Sequence, residues 1–353
     1  MSKEFYIARG ATTTWPALPP GSPPPGSIAY NDVLLVPGAD TKIESRKKPD
    51  LSVQFGPYVL RTPVISAPMD TISGEEMILK LNKLGAMGSL PRNKNFEENL
   101  RLCERFSGEN IPCLYAIGLK DAVDEAGQLK ERGAKMVLVD VAHGGMEVVK
   151  KLAGEIKNKH GLYVVAGNIV TYDQAEAYKQ AGIDAARVGV GPGAVCTTRI
   201  VSGHGFPQMS AVFETTDSGL FVIADGGIVY PGDVAKAMAA GAKLVMIGSL
   251  FGGTEETPGE VMNGQKALRG QASESYMTDN GTRSGEYRAA EGIDTRVPVQ
   301  GSVSHIIDTI TGGMRSALSY TGAENIEEFQ NKAVFNFVSS AAQKESRPHI
   351  LER

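Results

Sequence analysis

Cys196 is the residue of this chain whose setting best suits chemistry. It ends the run Val188-Gly189-Val190-Gly191-Pro192-Gly193-Ala194-Val195-Cys196, and Thr197, Thr198 and Arg199 follow directly. The run reads as a buried strand passing into a glycine-rich loop. Its three glycines let the backbone turn tightly and expose amides and carbonyls with no Cβ in the way. A thiol held beside two hydroxyls and a guanidinium can be kept partly as thiolate, the nucleophilic form. A structural loop with a small buried cysteine is the plainer alternative.

Two other glycine-rich stretches follow apolar runs: Asp225-Gly226-Gly227 and Gly248-Ser249. Backbone amides there can point at an anion unhindered, and Asp225 can accept from paired sugar hydroxyls. Asp140, Asn168 and Glu291 are further polar candidates. His143 and His204 have the right chemistry for acid–base work. With no neighbour to orient them, surface or structural roles fit them better. Gly312-Gly313-Met314-Arg315-Ser316 reads as a close-packing turn or a ligand contact.

The elements that must hold these residues show a rhythm from residue 63 onward. Apolar, β-branched runs at 63–67, 86–90, 112–117, 136–141, 163–167, 185–190, 221–225 and 244–248 alternate with helix-period segments. The helical segments are 75–84, 96–107, 120–132, 146–158, 173–181, 209–216 and 233–240, and a last helix spans 304–320. A glycine follows the helix at residues 85, 133, 182 and 241, as a left-handed C-cap requires. Strands apolar along most of their length suit a parallel sheet covered on both faces. Eight such units predict a (β/α)8 barrel, with chemistry at the C-terminal ends of the strands. A doubly wound open sheet is the alternative.

Outside the repeat, residues 1–27 form a proline-rich arm, packed or flexible, with a protein-binding segment as the alternative. Short strands are expected at 31–37 and 51–55. The catalytic unit is expected to span 28–340. The stretch 253–300, glycine- and charge-rich and poorly periodic, reads as an active-site flap. Residues 324–353 read as a trailing segment, with 341–353 a tail beyond the catalytic unit.

The chain has 353 residues, 42% of them hydrophobic and 22% charged, with a net charge of -4, so no nucleic-acid footprint is expected. No apolar stretch approaches the ~20 residues that span a bilayer, and the N-terminus lacks the apolar core of a signal peptide. The three cysteines, Cys103, Cys113 and Cys196, form no CxxC pair, which argues against a disulfide framework or a zinc site. A cytoplasmic protein is expected.

From about residue 28 to 340 the chain resembles the IMP dehydrogenase/GMP reductase family. The resemblance is carried by Gly189 through Arg199, Ala166-Gly167-Asn168, Ala224-Asp225-Gly226-Gly227 and Gly232-Asp233-Val234-Ala235-Lys236. It implies a single (β/α)8 barrel, a homotetramer, and chemistry at C2 of a purine nucleoside 5′-monophosphate through a cysteine adduct and a nicotinamide hydride. Asp140-Val141-Ala142-His143-Gly144, Glu286 through Gly292, Gly191-Pro192-Gly193 with Thr197-Thr198-Arg199, and Gly248 through Phe251 are similar to the reductase branch. Dehydrogenases usually carry a regulatory CBS insert after strand two, but residues 91–111 have room for one helix only. They also carry an Arg-Tyr pair in the flap, whereas Tyr287-Arg288 has the reverse order. Ser66 through Asp70 and Arg187 look more like the dehydrogenase branch, and Gln271 stands where methionine is common.

The resemblance also implies roles. The phosphate of GMP would sit on Gly226, Gly227, Gly248 and Ser249, its ribose on Asp225, and its base against Met69, Gly270 and Gln271. Ala194, Arg288 and Gly292 complete the substrate set. Cys196 would attack C2, and Thr198 with Glu291 would relay the proton that the leaving amine needs. NADPH would supply the hydride, against Arg92, Asp140, Val141, Ala142, Tyr287, Arg288, Ser316 and Ser319. Ser45 and Arg46 would reach it across a subunit boundary. Carbonyls of Gly191, Gly193, Cys196 and Arg199 would hold a monovalent cation, potassium. The expected reaction is NADPH-dependent reductive deamination of GMP to IMP. The alternatives are IMP dehydrogenase and, in a different class, a catalytically idle nucleotide-binding barrel.

Overall fold

The computed structural model describes residues 4–8, 11–14, 28–92, 95–281 and 288–346. Eight parallel strands form its central sheet: β1 (Val64–Ser66), β2 (Gly88–Leu90), β3 (Cys113–Ile117), β4 (Met136–Asp140), β5 (Tyr163–Ile169), β6 (Ala185–Val188), β7 (Phe221–Asp225) and β8 (Leu244–Ile247). Each pairs with its sequence neighbour from β2 to β8, and β8 pairs with β1. A parallel bridge between Ile65 and Met87 closes the ring. The predicted (β/α)8 barrel is therefore the observed fold.

The physics matches the sequence pattern. Every residue of β3 and β4 is buried, because helices cover the outside and side chains fill the inside. The covering helices are α1 (Glu75–Lys83), α2 (Phe96–Gly108), α3 (Ala122–Glu131), α4 (Glu147–His160), α5 (Tyr172–Gln180), α6 (Gln208–Thr216), α7 (Pro231–Ala239) and α8 (Val303–Thr321). Helix α4 buries Val149, Ala153 and Ile156, a stripe at helical spacing. Its last turn carries Lys157, Lys159 and His160, which complement the negative end of the helix dipole. Helix α5 opens on a reciprocal cap, Thr171 Oγ1 accepting from Gln174 N at 3.4 Å and Gln174 Oε1 from Thr171 N at 3.3 Å. Glycines 85, 133, 182 and 241 all adopt positive φ at the helix-to-strand joints.

At the N-terminal end of the barrel, strands Val53–Phe55 and Tyr58–Leu60 form an antiparallel hairpin. The fully buried Phe55 stacks on Phe221 at 5.1 Å and meets Tyr163 edge-on at 5.4 Å. These two aromatics begin β7 and β5, so the hairpin plugs the barrel from below.

Four expectations need correction. Strands Glu4–Ala8 and Ala11–Thr14 pair within the supposed arm, and join Val334–Phe337 and Val33–Leu35 in a four-stranded sheet. The proline-rich residues 15–27 lie outside the described set. Residues 324–346 are not a trailing segment: helix Ile326–Lys332 and strand Val334–Phe337 bury Phe329 and Phe335 completely, and helix Ser340–Glu345 continues past the expected boundary at 340. The supposedly aperiodic 253–300 contains an antiparallel ribbon, Gln265–Arg269 with Asp294–Pro298, and helix Glu274–Asp279. Polar, short elements of this kind carry little hydrophobic period, so they read as loop. The glycines 312 and 313 lie inside α8 rather than in a turn, with Gly313 packed on Pro231.

Candidate active site

The C-terminal ends of the strands converge on a cavity of about 240 Å³. Strand β6 is followed by the cysteine loop, and its first glycine shows why no other residue serves. Gly189 has φ +143, and a Cβ there would lie 2.2 Å from the carbonyl oxygen of Asp225 and 2.7 Å from Gln208 Oε1. The loop then folds back over β7, Pro192 lying against Gly226. Cys196 N donates to Gly193 O at 3.0 Å, and the short helix Thr198–Val201 begins two residues later. This turn sets Cys196 Sγ 3.2 Å from Thr198 Oγ1, both half-buried.

The ribbon after β8 is laced to this loop by backbone. Thr197 N donates to Glu291 O at 2.9 Å, Ile293 N to Val195 O at 3.0 Å, and Glu291 N to Ala272 O at 2.9 Å. Arg269 anchors the ribbon to the loop after β1. It is ion-paired with Asp70, and its Nη1 donates to Asp279 at 2.6 Å. Gln271 donates to the carbonyl of Pro68, which fixes its amide beside Met69.

Below the cavity runs a chain of charges. Arg187, on β6, donates through Nη1 to Asp140 Oδ1 at 2.5 Å and through Nε to Asp225 Oδ2 at 2.9 Å. Asn168 Nδ2 also donates to Asp225 Oδ2, at 2.8 Å, and to Gly189 O at 2.6 Å. Arg92 Nε lies 3.4 Å from Asp140 Oδ2. Burial works against the charge on Arg187, but the carboxylates of Asp225 and Asp140 outweigh it and hold the guanidinium above its ordinary value.

Most of the expected site residues come together here. Met69, Arg92, Asp140, Val141, Ala142, Gly191, Gly193, Ala194, Cys196, Thr198, Asp225, Gly226, Gly227, Gly248, Ser249, Gly270, Gln271, Glu291 and Gly292 all line the cavity. Ser45, Arg46, Arg288, Ser316 and Ser319 do not. Arg46 instead donates to Tyr320 Oη at 3.1 Å, and Ser316 and Ser319 bond to carbonyls within α8. Tyr287 lies outside the described residues. His143 and His204 are exposed, as expected.

Asp140 Oδ2 is buried with no hydrogen-bond partner, on the wall of this cavity. An orphaned acceptor there fits a hydroxyl donor such as the sugar of a nicotinamide dinucleotide. Of the carbonyls expected to hold a cation, that of Gly193 accepts from Cys196 N at 3.0 Å and keeps its second lone pair. Among the described residues, no cluster of three or more His, Cys, Asp or Glu could hold a metal, and no helix is long and apolar enough to cross a membrane.

Sequence reasoning noticed Arg187 only as a departure from a family pattern. The signal was available: an arginine inside the otherwise apolar Ala185-Ala186-Arg187-Val188, in a strand covered on both faces, demands buried anionic partners.

A barrel of parallel strands with a cysteine loop and two glycine turns converging on one rim cavity defines the class: a (β/α)8 protein whose polar groups gather at the C-terminal ends of its strands. A model of the IMP dehydrogenase / GMP reductase domain matches residues 27–349, and the chain belongs to that family. Inosine-5′-monophosphate dehydrogenase of Mycobacterium tuberculosis is 36% identical over 91% of this chain and 68% of its own length. The Helicobacter pylori protein of the same name is 36% identical over 93% of this chain and 73% of its own length. That of Aquifex aeolicus is 41% identical over 66% of this chain and 51% of its own length.

Proposed function

We propose that this chain is an oxidoreductase acting at C2 of a purine nucleoside 5′-monophosphate through a covalent adduct on Cys196, and that it runs in the reductive direction, from GMP to IMP. The observation that carries the reading is the grouping of Cys196 Sγ, Thr198 Oγ1 at 3.2 Å and Glu291 on one cavity with the glycine turns after β7 and β8.

The phosphate takes the amides of Gly226, Gly227, Gly248 and Ser249, and the ribose hydroxyls take Asp225. The purine lies between Met69 and the Gly270-Gln271 turn, with C2 over the sulfur. As Cys196 Sγ bonds to C2 the C2=N3 pair moves onto N3, and the thiol proton passes through Thr198, which gives its own proton to Glu291 as it accepts. Glu291 and Thr198 then protonate the 2-amino group, which leaves as ammonia and takes the bonding pair with it, so C2 remains bound to sulfur as a thioimidate. A reduced nicotinamide dinucleotide, when bound, supplies the hydride at C2 that releases the thiolate and leaves IMP. Asp140, Val141, Ala142 and Arg92 orient that cofactor. We assign NADPH to this role and potassium to the cysteine loop as expectations of the same reading. Ser45 and Arg46 lie away from this chain's own cavity, which supports the reading that they contribute to the site of a neighbouring subunit in a homotetramer.

The second reading is IMP dehydrogenase, in which NAD oxidises the adduct formed with IMP and water releases XMP. The names of the relatives fit that reading better than the first. Glu286 through Gly292, with Glu291 as acid and no Arg-Tyr pair, support the first. The two separate in one pair of assays. GMP with NADPH is expected to lose reduced-cofactor absorbance and release ammonia. Reduction of NAD by IMP, with no reaction of GMP, would overturn the reductive reading, and binding without turnover in either assay would leave an idle barrel.

A further inference from the structure

The purine reading assigns one sugar to Asp225 and another to Asp140, but it leaves out the residue between them. Arg187 stands on β6, flanked by β5 and β7, and its guanidinium reaches Asp140 with one nitrogen and Asp225 with another. It is 8% exposed and has no other hydrogen-bond partner among the described residues.

Each carboxylate gives it one oxygen and keeps one. Asp140 presents Oδ2, which is buried and makes no hydrogen bond, though Arg92 Nε faces it at 3.4 Å, and Asp225 presents Oδ1, which has no hydrogen bond among the described residues. A carboxylate free to rotate would present either oxygen and lose rotamer entropy on binding a hydroxyl. One pinned by a rigid fork presents the same oxygen every time. The guanidinium also neutralises repulsion between two acids that would otherwise face each other across a low-dielectric strand end.

We propose that Arg187 is a positioning residue shared by both halves of the site. It fixes the free oxygen of Asp225 for the sugar of the nucleotide and that of Asp140 for the sugar of the dinucleotide, an assignment that rests on the purine-nucleotide reading above. Lysine has the charge and three donors on one nitrogen, but not the planar fork that holds two carboxylates at a fixed separation and angle.

The test is steady-state kinetics and calorimetric binding on the full chain with GMP, IMP and the nicotinamide dinucleotides. Arg187→Met is expected to raise KM for nucleotide and for cofactor, each about tenfold, as loss of an oriented charged acceptor should. Arg187→Lys keeps the charge without the fork and is expected to leave both KM values raised. Asp225→Asn raises only the nucleotide KM and Asp140→Asn only that of the cofactor, a split that a merely structural arginine would not reproduce. Should Arg187→Met fail to fold, the lysine variant decides alone. If Arg187→Lys keeps both KM values within about twofold of wild type, or changes kcat only, the proposal is overturned. Wild-type protein that binds neither nucleotide nor dinucleotide overturns the purine reading and this proposal together. Wild-type binding with unmoved Arg187 variants overturns this proposal alone.

Discussion

The two ends of the barrel are built on opposite rules. At the base, Phe55, Phe221 and Tyr163 pack ring against ring beneath the strands, and Phe55 is fully buried. At the rim, five buried polar atoms make no hydrogen bond among the described residues: Tyr30 Oη, Gln208 Oε1, Thr254 Oγ1, and Arg92 Nε with Asp140 Oδ2, which face each other as an ion pair at 3.4 Å. Arg92 and Asp140 line the cavity, Tyr30 and Gln208 pack against Gly227 beside it, and Thr254 follows the turn after β8. Buried polar atoms are satisfied nearly everywhere in folded proteins, so their concentration at one end sets the rim apart from the apolar base. The base holds the barrel together, and the rim keeps bonds in reserve.

That division can be broken by mutation. The largest effect is expected at the sulfur. Cys196→Ala should abolish turnover while nucleotide binding and melting temperature stay near wild type; turnover close to wild type would exclude the covalent route. At the base, Phe55→Ala should cost about 3–5 kcal/mol of unfolding free energy, measured by denaturant titration, with KM unchanged. A rise in KM there would show that the two ends are not separable. Glu291→Gln is expected to lower kcat about a hundredfold, the lower range for loss of a general acid. Its binding affinity should change little, which calorimetry would check.

The smallest effect is expected on the rim side but outside the cavity, where Glu256 meets the start of α8. Burial alone would raise the carboxyl of Glu256, but the Ser302 hydroxyl at 2.5 Å and the Val303 amide at 2.8 Å hold it below the usual range. A carboxyl lowered by folding stabilises the protein above its unfolded value, ~4.3, and loses that contribution as pH falls through the folded one. Glu256→Gln should therefore cost about 1 kcal/mol near neutrality, like the loss of a helix cap. The difference from wild type should shrink below about pH 4. A penalty constant with pH would assign the effect to packing instead.

What the sequence disclosed follows from the strength of its periods. The eight apolar runs and the glycine at each of four helix-to-strand joints were legible because parallel strands and left-handed caps leave few residue choices. The cysteine loop and both glycine turns were legible for the same reason. The pairing of Val334–Phe337 with Val33–Leu35 joins segments about three hundred residues apart, and no local pattern reports such a partner. The ribbon Gln265–Arg269 with Asp294–Pro298 is largely exposed on its second strand, so it lacks the alternation that would announce it. Arg187 was hidden differently. Its oddity was visible, but its two partners lie 47 and 38 residues away, and only the closed ring brings them to one guanidinium.

The lacing of Thr197 to Glu291 and of Ile293 to Val195 has a mechanical corollary. The sulfur and the acid are carried on one stitched seam, so neither travels without the other. A change that cuts these two bonds would therefore reach both reactive groups at once, because the same pair of backbone links fixes the spacing between the cysteine loop and the segment that carries the carboxyl.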